Sequence, residues 1–506
     1  MHHCAAAGLR GAIWMDGSSM TDEIYQYGSY AAGEWIGRGS DHFETFDPAR
    51  PGKVVGRYRI STSDDIDAVV AAAAKAQRDW AAVPGLERQY LIGRYFAKLK
   101  EATEAMAVAI TREMGKPIGD ARGEIGWSLV ESEFMLGEAA RSVGSVMPSW
   151  RRDVQNLIVR RPRGVIAAVS PWNYPFLTPM RKVAPALVFG NAVVLKPSEY
   201  TPAAACMMAE LAKGILPDGL FGIINGLGVT GRALVGHPRV NGVTFTGSVP
   251  TGKAIYQAAA ANLAEVSLEL GGKNPIVIHD VRDLDACLDE ISRGAMQNGG
   301  QRCTSLSRVI VRKPLVKDVE AGLAERLARV VVGEGFDPKA QIGPMAMRAQ
   351  HEKVLSMIQA GVGEGAVVAT GGGRAAPTGF EQGYFVQPTL LCGVAPTMRI
   401  AREEIFGPVL SVIPFDDVDQ ALEIVNDVEF GLAACLYSED PWVTKRFTER
   451  ADAGMLHVNH QTAGDPNMPF IGTKASGVGA GSVGASAVNF YTSEHSIYLK
   501  TLPPAG

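Results

Sequence analysis

The chain has no C-x-x-C pair. Its six cysteines (Cys4, Cys206, Cys287, Cys303, Cys392, Cys435) are scattered over 506 residues. That argues against a disulfide framework or a zinc site and fits a reducing compartment. It also lacks any apolar run near the roughly 20 residues that span a bilayer. The longest candidate, Val183 to Leu195, is broken by Pro185, Gly190 and Asn191. Charge of one sign is missing too. Forty-nine Lys and Arg against 53 Asp and Glu leave a net −4, which gives no electrostatic reason to expect nucleic acid or an anionic membrane as partner. Near the N-terminus Ala5 to Trp14 is apolar, but Arg10 interrupts it and Asp16 follows, so it makes a poor signal or transit peptide. No repeat or low-complexity tract stands out. The expectation is a cytoplasmic protein with no nucleic-acid, membrane or metal partner.

What is present is an ordinary globular composition, 46% apolar and 20% charged, in a chain long enough for two or three domains. Fifty-seven glycines promise tight turns and close backbone approaches. Residues 1–27 show no clear period and read as a loose tail. A helix begins near Ser63-Asp64-Asp65 with an apolar face at Ile66, Val69, Val70, Ala73 and Ala76, and Pro84-Gly85 stops it. Leu91, Ile92, Tyr95, Phe96 and Leu99 mark the next. Residues 151–163 form a basic, strand-like interruption, better read as a solvated hairpin or subunit contact than as a phosphate site.

From Val165 short β-rich runs alternate with turns and helical segments: Val165–Val169, Ala192–Leu195, Phe221–Ile224 and Val243–Phe245. This rhythm predicts a parallel sheet flanked by helices, with ligands at the carboxyl ends of its strands. Those ends carry Trp172-Asn173, Lys196 to Glu199, Asn225-Gly226 and Thr246-Gly247-Ser248. Gly226-Leu227-Gly228-Val229-Thr230-Gly231 matches G-x-G-x-x-G, but the acid usually found about 20 residues on is absent. Glu199, upstream, is the acid that could hold a ribose, and the turn at Gly247-Ser248 could offer N–H groups to a pyrophosphate. A second alternating region follows Gly271-Gly272, with strands at Ile276–Ile278 and Val309–Val311 and a helix from about Val316 to Val331. Ala487 to Leu502 reads as strand and could pair with the 151–163 hairpin or with another subunit.

One thiol stands apart. Asn298-Gly299-Gly300-Gln301-Arg302-Cys303-Thr304-Ser305 sets Cys303 after two glycines among polar neighbours, unlike a core cysteine. By itself this leaves nucleophile and buried thiol both open.

Taken together, six segments resemble the aldehyde dehydrogenase superfamily over about residues 29–502. They are Pro171-Trp172-Asn173-Tyr174-Pro175, Lys196-Pro197-Ser198-Glu199, Phe245-Thr246-Gly247-Ser248, Leu268 to Lys273, Gly300-Gln301-Arg302-Cys303 and Glu403 to Pro408. The resemblance implies an α/β fold. It would hold a Rossmann-like NAD-binding domain (29–143 and 163–271), an α/β catalytic domain (272–483) and a small bridging β-flap (144–162 and 484–502) after a tail (1–28). The flap implies a homodimer or homotetramer.

It also implies roles. Cys303 matches the nucleophile, forming a thiohemiacetal and then a thioester. Asn173 and the Cys303 N–H match the oxyanion donors, and Glu269 matches the base that activates water. Glu269 also favours hydrolysis over acyl transfer to coenzyme A. Trp172, Lys196, Glu199, Gly226, Gly247, Ser248, Glu404 and Phe406 fall at cofactor positions. Glu199 favours NAD, with NADP as the alternative. Arg181, with Tyr174 nearby, matches a substrate-binding position and resembles the Arg of succinate-semialdehyde enzymes, where it pairs with a distal carboxylate. The segment Asn459 to Gly464 and the Gln-Arg-Cys motif instead resemble α-ketoglutaric-semialdehyde dehydrogenases. A short semialdehyde with a distal carboxylate is the expected aldehyde substrate. Broad aliphatic, hydroxy- or aromatic-aldehyde oxidation, or a non-catalytic NAD-binding protein, are the alternatives. Two departures stand out: Ile471 where the family usually has Gly, and Ala480-Gly481 where Arg-Glu often follows Gly479. No second Cys lies close after Cys303, so a local redox disulfide is not expected.

Overall fold

A computed structural model describes residues 23–141 and 144–501. Its centre is an eight-stranded sheet. Five parallel strands run in the spatial order Glu265–Glu269, Gly242–Thr246, Val165–Val169, Ala192–Lys196, Phe221–Ile223. Val165–Val169 and Ala192–Lys196 are buried along their whole length. Helices cover both faces, which is why these strands read as continuous apolar runs instead of alternating ones. Short antiparallel strands close the edges, Gly477–Val478 against Glu265–Glu269 and Ser29–Ala31 against Ile223.

The chain order reverses between Val165–Val169 and Gly242–Thr246. Such a switch point opens a crevice beyond the strand ends, where ligands of doubly wound sheets bind. The Pro171–Tyr174 and Thr246–Ser248 turns leave the sheet there. The helix Ser63–Ala82 packs against this sheet. Thr62 and Asp65 form a reciprocal capping box at its start, and the Trp80 indole donates to Leu187 O at 2.9 Å.

A seven-stranded sheet forms the other half: Val367–Thr370, Thr389–Cys392, Val409–Phe415, Leu306–Arg312, Asn274–Ile278, Ala433–Tyr437 and Met455–Val458. All but the first run parallel. The third sheet joins distant segments. Thr492–Lys500 pairs antiparallel with Val154–Pro162 over nine residues, and Gly144–Met147 adds the third strand. Val146, Met147, Tyr498 and Leu499 stand exposed on it, with a fully exposed Trp150 between its first two strands. Among the described residues no helix is long and apolar enough to cross a membrane.

Two local expectations are corrected. Tyr25–Tyr27, read as tail, is a strand parallel to Gly56–Tyr58, and Tyr27 stacks on Tyr58. Cross-strand aromatic packing supplies the order that periodicity did not reveal. Ala487–Tyr491, read as strand, is a short helix. Phe490 and Tyr491 are buried there, and the Asn191 amide donates to Tyr491 O at 2.9 Å. Tertiary burial overrides the β-propensity of Val488, Phe490 and Tyr491.

Candidate active site

One cavity of about 610 Å³ opens where the two large sheets face each other. Cys303, Asn173, Glu269 and Arg181 line it from the sequence-predicted chemical set, with Tyr174 beside them. Trp172, Gly247, Ser248, Glu404 and Phe406 line it from the cofactor set.

The thiol is delivered by an unusual backbone. Asn298, Gly299 and Gly300 are consecutive left-handed residues, with φ of 56°, 61° and 71°. For Asn298 this costs about 1–3 kcal/mol, so the surroundings must hold it. They do. Its side-chain amide donates to the backbone oxygens of Asn173 and Gln301, both at 3.1 Å. The Gln301 amide in turn bonds Asn298 O and Pro344 O, and its oxygen accepts from Ala346 N. Gly300 packs against the Glu404–Gly407 loop so closely that a Cβ would lie 2.1 Å from Gly407 O. Gly272 does the same on the other side, since a Cβ there would meet Cys303 O at 2.7 Å. The Cys303 thiol is pushed up to about 11, first by burial and then by the Glu269 charge, while Arg181 and Arg302 pull it down. At neutral pH it is protonated and needs a base.

Asn173 is held just as firmly. Its side-chain amide donates to Gln301 O at 2.9 Å, which aims it at the thiol loop. Its backbone oxygen accepts from the Lys116 ammonium at 2.9 Å. Lys116 pairs with Glu124 at 2.6 Å, both buried, and lies 4.1 Å from the centre of the Tyr174 ring. Glu124 also accepts from the N–H groups of Phe176 and Leu177, at the start of the helix Leu177–Val188. This ion pair escaped the sequence reading because no local pattern joins residues 116 and 124 to 173.

Glu269 ends its strand inside the cavity. Thr246 Oγ1 donates to one carboxylate oxygen at 3.2 Å and Ser482 Oγ donates to the other. Lys182 Nζ donates to Thr246 Oγ1 at 2.8 Å, and burial lowers this ammonium to about 8. Ser482 lies just past the Ala480-Gly481 departure from the family pattern. The changed segment therefore brings its own polar group to Glu269, which only the fold reveals.

On the cofactor side, Glu404 Oε1 accepts from Gly272 N at 2.9 Å, and a Cβ on Gly271 would lie 2.8 Å from Glu404 Oε2. Burial raises the Glu404 carboxyl. Phe406, itself at φ 60°, meets Trp172 edge-on at 5.5 Å. Ser248 caps the helix Val249–Ala260, whose N–H groups face the switch-point crevice after Gly247. Lys196, Glu199 and Gly226 lie outside the cavity lining, beyond the next strand ends. Lys196 Nζ donates to Pro197 O and reaches Glu199 at 3.4 Å, while Gly231 abuts the Lys196 stem. Two carboxylates, a buried lysine, a capped helix and glycine turns along one switch-point crevice fit an extended dinucleotide with two riboses and a pyrophosphate.

Arg181 departs from its expected state. Instead of standing free for a substrate carboxylate, it makes a two-pronged ion pair with Glu131, Nε to Oε2 at 2.7 Å and Nη2 to Oε1 at 2.6 Å. Trp127 Nε1 donates to the same carboxylate, and the guanidinium covers the Phe470 ring. A protein carboxylate four residues beyond Trp127 on the helix Ile118–Glu138 already fills the role assigned to substrate.

The aldehyde dehydrogenase family model matches residues 35–497. The chain is 36% identical over 487 residues to the α-ketoglutaric semialdehyde dehydrogenase of Bacillus subtilis, covering 95% of this chain and all of that protein. It is 37% identical over 456 residues to the betaine aldehyde dehydrogenase of Brucella anthropi, covering 89% and 92%. The crystal structure of a NAD-dependent aldehyde dehydrogenase from Sinorhizobium meliloti superposes with a TM-score of 0.92 at 34% identity, covering 97% of each chain. The chain belongs to the aldehyde dehydrogenase family, and it is an oxidoreductase acting on aldehydes with a nicotinamide cofactor.

Proposed function

We propose that the protein oxidises a short aldehyde with a distal carboxylate to the corresponding acid, preferring NAD to NADP, in the cytoplasm. The observation that carries the chemistry is the convergence of Cys303, Asn173 and Glu269 on one cavity. Cys303 Sγ adds to the carbonyl carbon as the thiolate, its proton released to water. The oxygen that becomes negative accepts from the Asn173 amide and the Cys303 N–H, worth roughly 3–4 kcal/mol per donor. A nicotinamide held in the crevice would supply the hydride acceptor, and loss of hydride from that carbon would leave the acyl group on Cys303 as a thioester. Glu269, oriented by Thr246 and Ser482, then deprotonates a water that attacks the thioester, and Cys303 leaves as thiolate.

Lys196 and Glu199 would hold the adenosine ribose, beside Gly226, with Gly247 and Ser248 at the pyrophosphate. Glu404 would hold the nicotinamide ribose, with Trp172 and Phe406 packing alongside. A carboxylate at Glu199 accepts from ribose hydroxyls and repels a 2′-phosphate, which favours NAD. The exposed apolar residues of the third sheet suit a subunit interface, so a homodimer or homotetramer is proposed.

The semialdehyde is supported by the likeness to the Bacillus subtilis protein, whose name specifies such a substrate. A second reading has its own observation: with Arg181 neutralised by Glu131, an uncharged hydroxylated or aliphatic aldehyde also suits that wall. Initial rates with carboxylated, hydroxylated and plain aldehydes, each with NAD and NADP, separate the two. A kcat/KM highest for a carboxylated aldehyde with NAD is expected. Equal rates across the panel would reject the substrate part of the proposal.

A further inference from the structure

Two side chains beside the cavity form an ion pair that the chemical steps do not use. Lys116 and Glu124 are each 1% exposed, with their charged atoms 2.6 Å apart. Desolvating two charges offsets most of what their attraction returns, and well-packed apolar residues of the same volume often stabilise a fold as well. Stability alone does not account for the pair.

Its contacts do, because they fall on one turn, residues 173–177. Lys116 Nζ donates to Asn173 O at 2.9 Å and lies 4.1 Å from the centre of the Tyr174 ring. Glu124 Oε2 faces the ammonium, while Oε1 accepts from Phe176 N at 2.8 Å and Leu177 N at 3.0 Å. The Asn298 amide gives Asn173 O a second bond at 3.1 Å, so both lone pairs of that oxygen are occupied. The Asn173 side chain has one amide hydrogen committed to Gln301 O at 2.9 Å. Only its other hydrogen is left for a substrate oxygen, and the backbone that carries the side chain sets its aim. An oxyanion donor works by being held in place before charge develops, to within about 0.5 Å.

We propose that Lys116 and Glu124 are positioning residues for the oxyanion donor. The pair clamps the turn at both ends, Lys116 at Asn173 O and Glu124 at the Phe176 and Leu177 N–H groups, and so fixes the direction of the remaining Asn173 hydrogen. This rests on the oxyanion role proposed for Asn173 and is independent of which aldehyde is the substrate.

The test measures single-turnover NADH formation at saturating NAD, with succinate semialdehyde and butanal in parallel, because an oxyanion forms on either. Lys116→Met combined with Glu124→Gln removes both charges together and keeps an acceptor for the Phe176 and Leu177 N–H groups. It should slow the step about tenfold, equally for both aldehydes, and less than Asn173→Ala because Asn298 still holds Asn173 O. Alkylation of Cys303 by iodoacetamide, which forms no oxyanion, and the Kd for NAD should be unchanged. Lys116→Gln, which keeps an N–H donor, should fall between this variant and the wild type, and it carries the comparison if the double variant does not fold. In an Asn173→Ala background neither change should slow the step further, since a residue acting through Asn173 has nothing left to act on. The same fold loss in both backgrounds, a loss shared by alkylation and NAD binding, or no loss at all overturns the assignment. If Asn173→Ala itself keeps the wild-type rate, the role of Asn173 is rejected and this inference with it.

Discussion

The two large sheets face one cavity but furnish it differently. The eight-stranded sheet supplies side chains at or just beyond strand ends: Asn173, Thr246 and Glu269. Their directions follow from rigid, buried strands. The seven-stranded half supplies loops whose backbone is held in left-handed conformations, Asn298–Gly300 and Phe406, and these loops carry a thiol and a carboxylate into the crevice. One half fixes its chemistry by sheet geometry, and the other by packing that offsets local strain. A side-chain deletion in the first should remove one interaction. A backbone change in the second should displace a whole constellation.

The largest effect expected is on the strand-end side. Asn173→Ala should lower kcat about 10²–10³-fold with little change in melting temperature, because it removes an oxyanion donor. Steady-state kinetics alongside thermal denaturation checks it. A loss seen only in KM would place Asn173 in ground-state binding.

On the loop side Gly300→Ala should cost about a hundredfold, because its Cβ would need the space of Gly407 O and displaces Cys303. Unlike Asn173→Ala, it should also slow alkylation of Cys303 by iodoacetamide. If alkylation is unaffected, the loop tolerates the methyl group and the contrast between the halves fails.

In the wild type without cofactor, that alkylation should speed up with pH across neutral and mildly alkaline values. The thiol is raised to about 11, so the reactive thiolate is scarce at pH 7 and grows about tenfold per pH unit until pH nears 11. A plateau by pH 8 would mean that the cations beside Cys303 outweigh its burial.

The smallest effect is expected from Ser482→Ala. Thr246 remains to orient Glu269, so about a three- to tenfold fall in turnover should appear, confined to deacylation. A pre-steady-state burst larger relative to the steady rate would show this, and a reduced burst would contradict it.

Much of this was legible in the sequence because it is local. Each motif lies within a few residues, and the β-rich runs near 165, 192, 221 and 243 fall on the parallel strands observed. The unread part is long-range. Glu131 faces Arg181 across fifty residues of chain, and Ser482 reaches Glu269 across more than two hundred. Neither residue type announces such a partner. Arg181 shows the consequence: its identity suggested a free anion site, while its carboxylate was already supplied from another helix.

The central claim, a thioester on Cys303 released by Glu269, is tested most directly on Glu269→Gln. Mixed with aldehyde and NAD, this variant should give a burst of NADH followed by slow turnover. Intact-protein and peptide mass spectrometry should then find the acyl group on Cys303. Steady turnover with no adduct, or an adduct on another residue, would contradict the account.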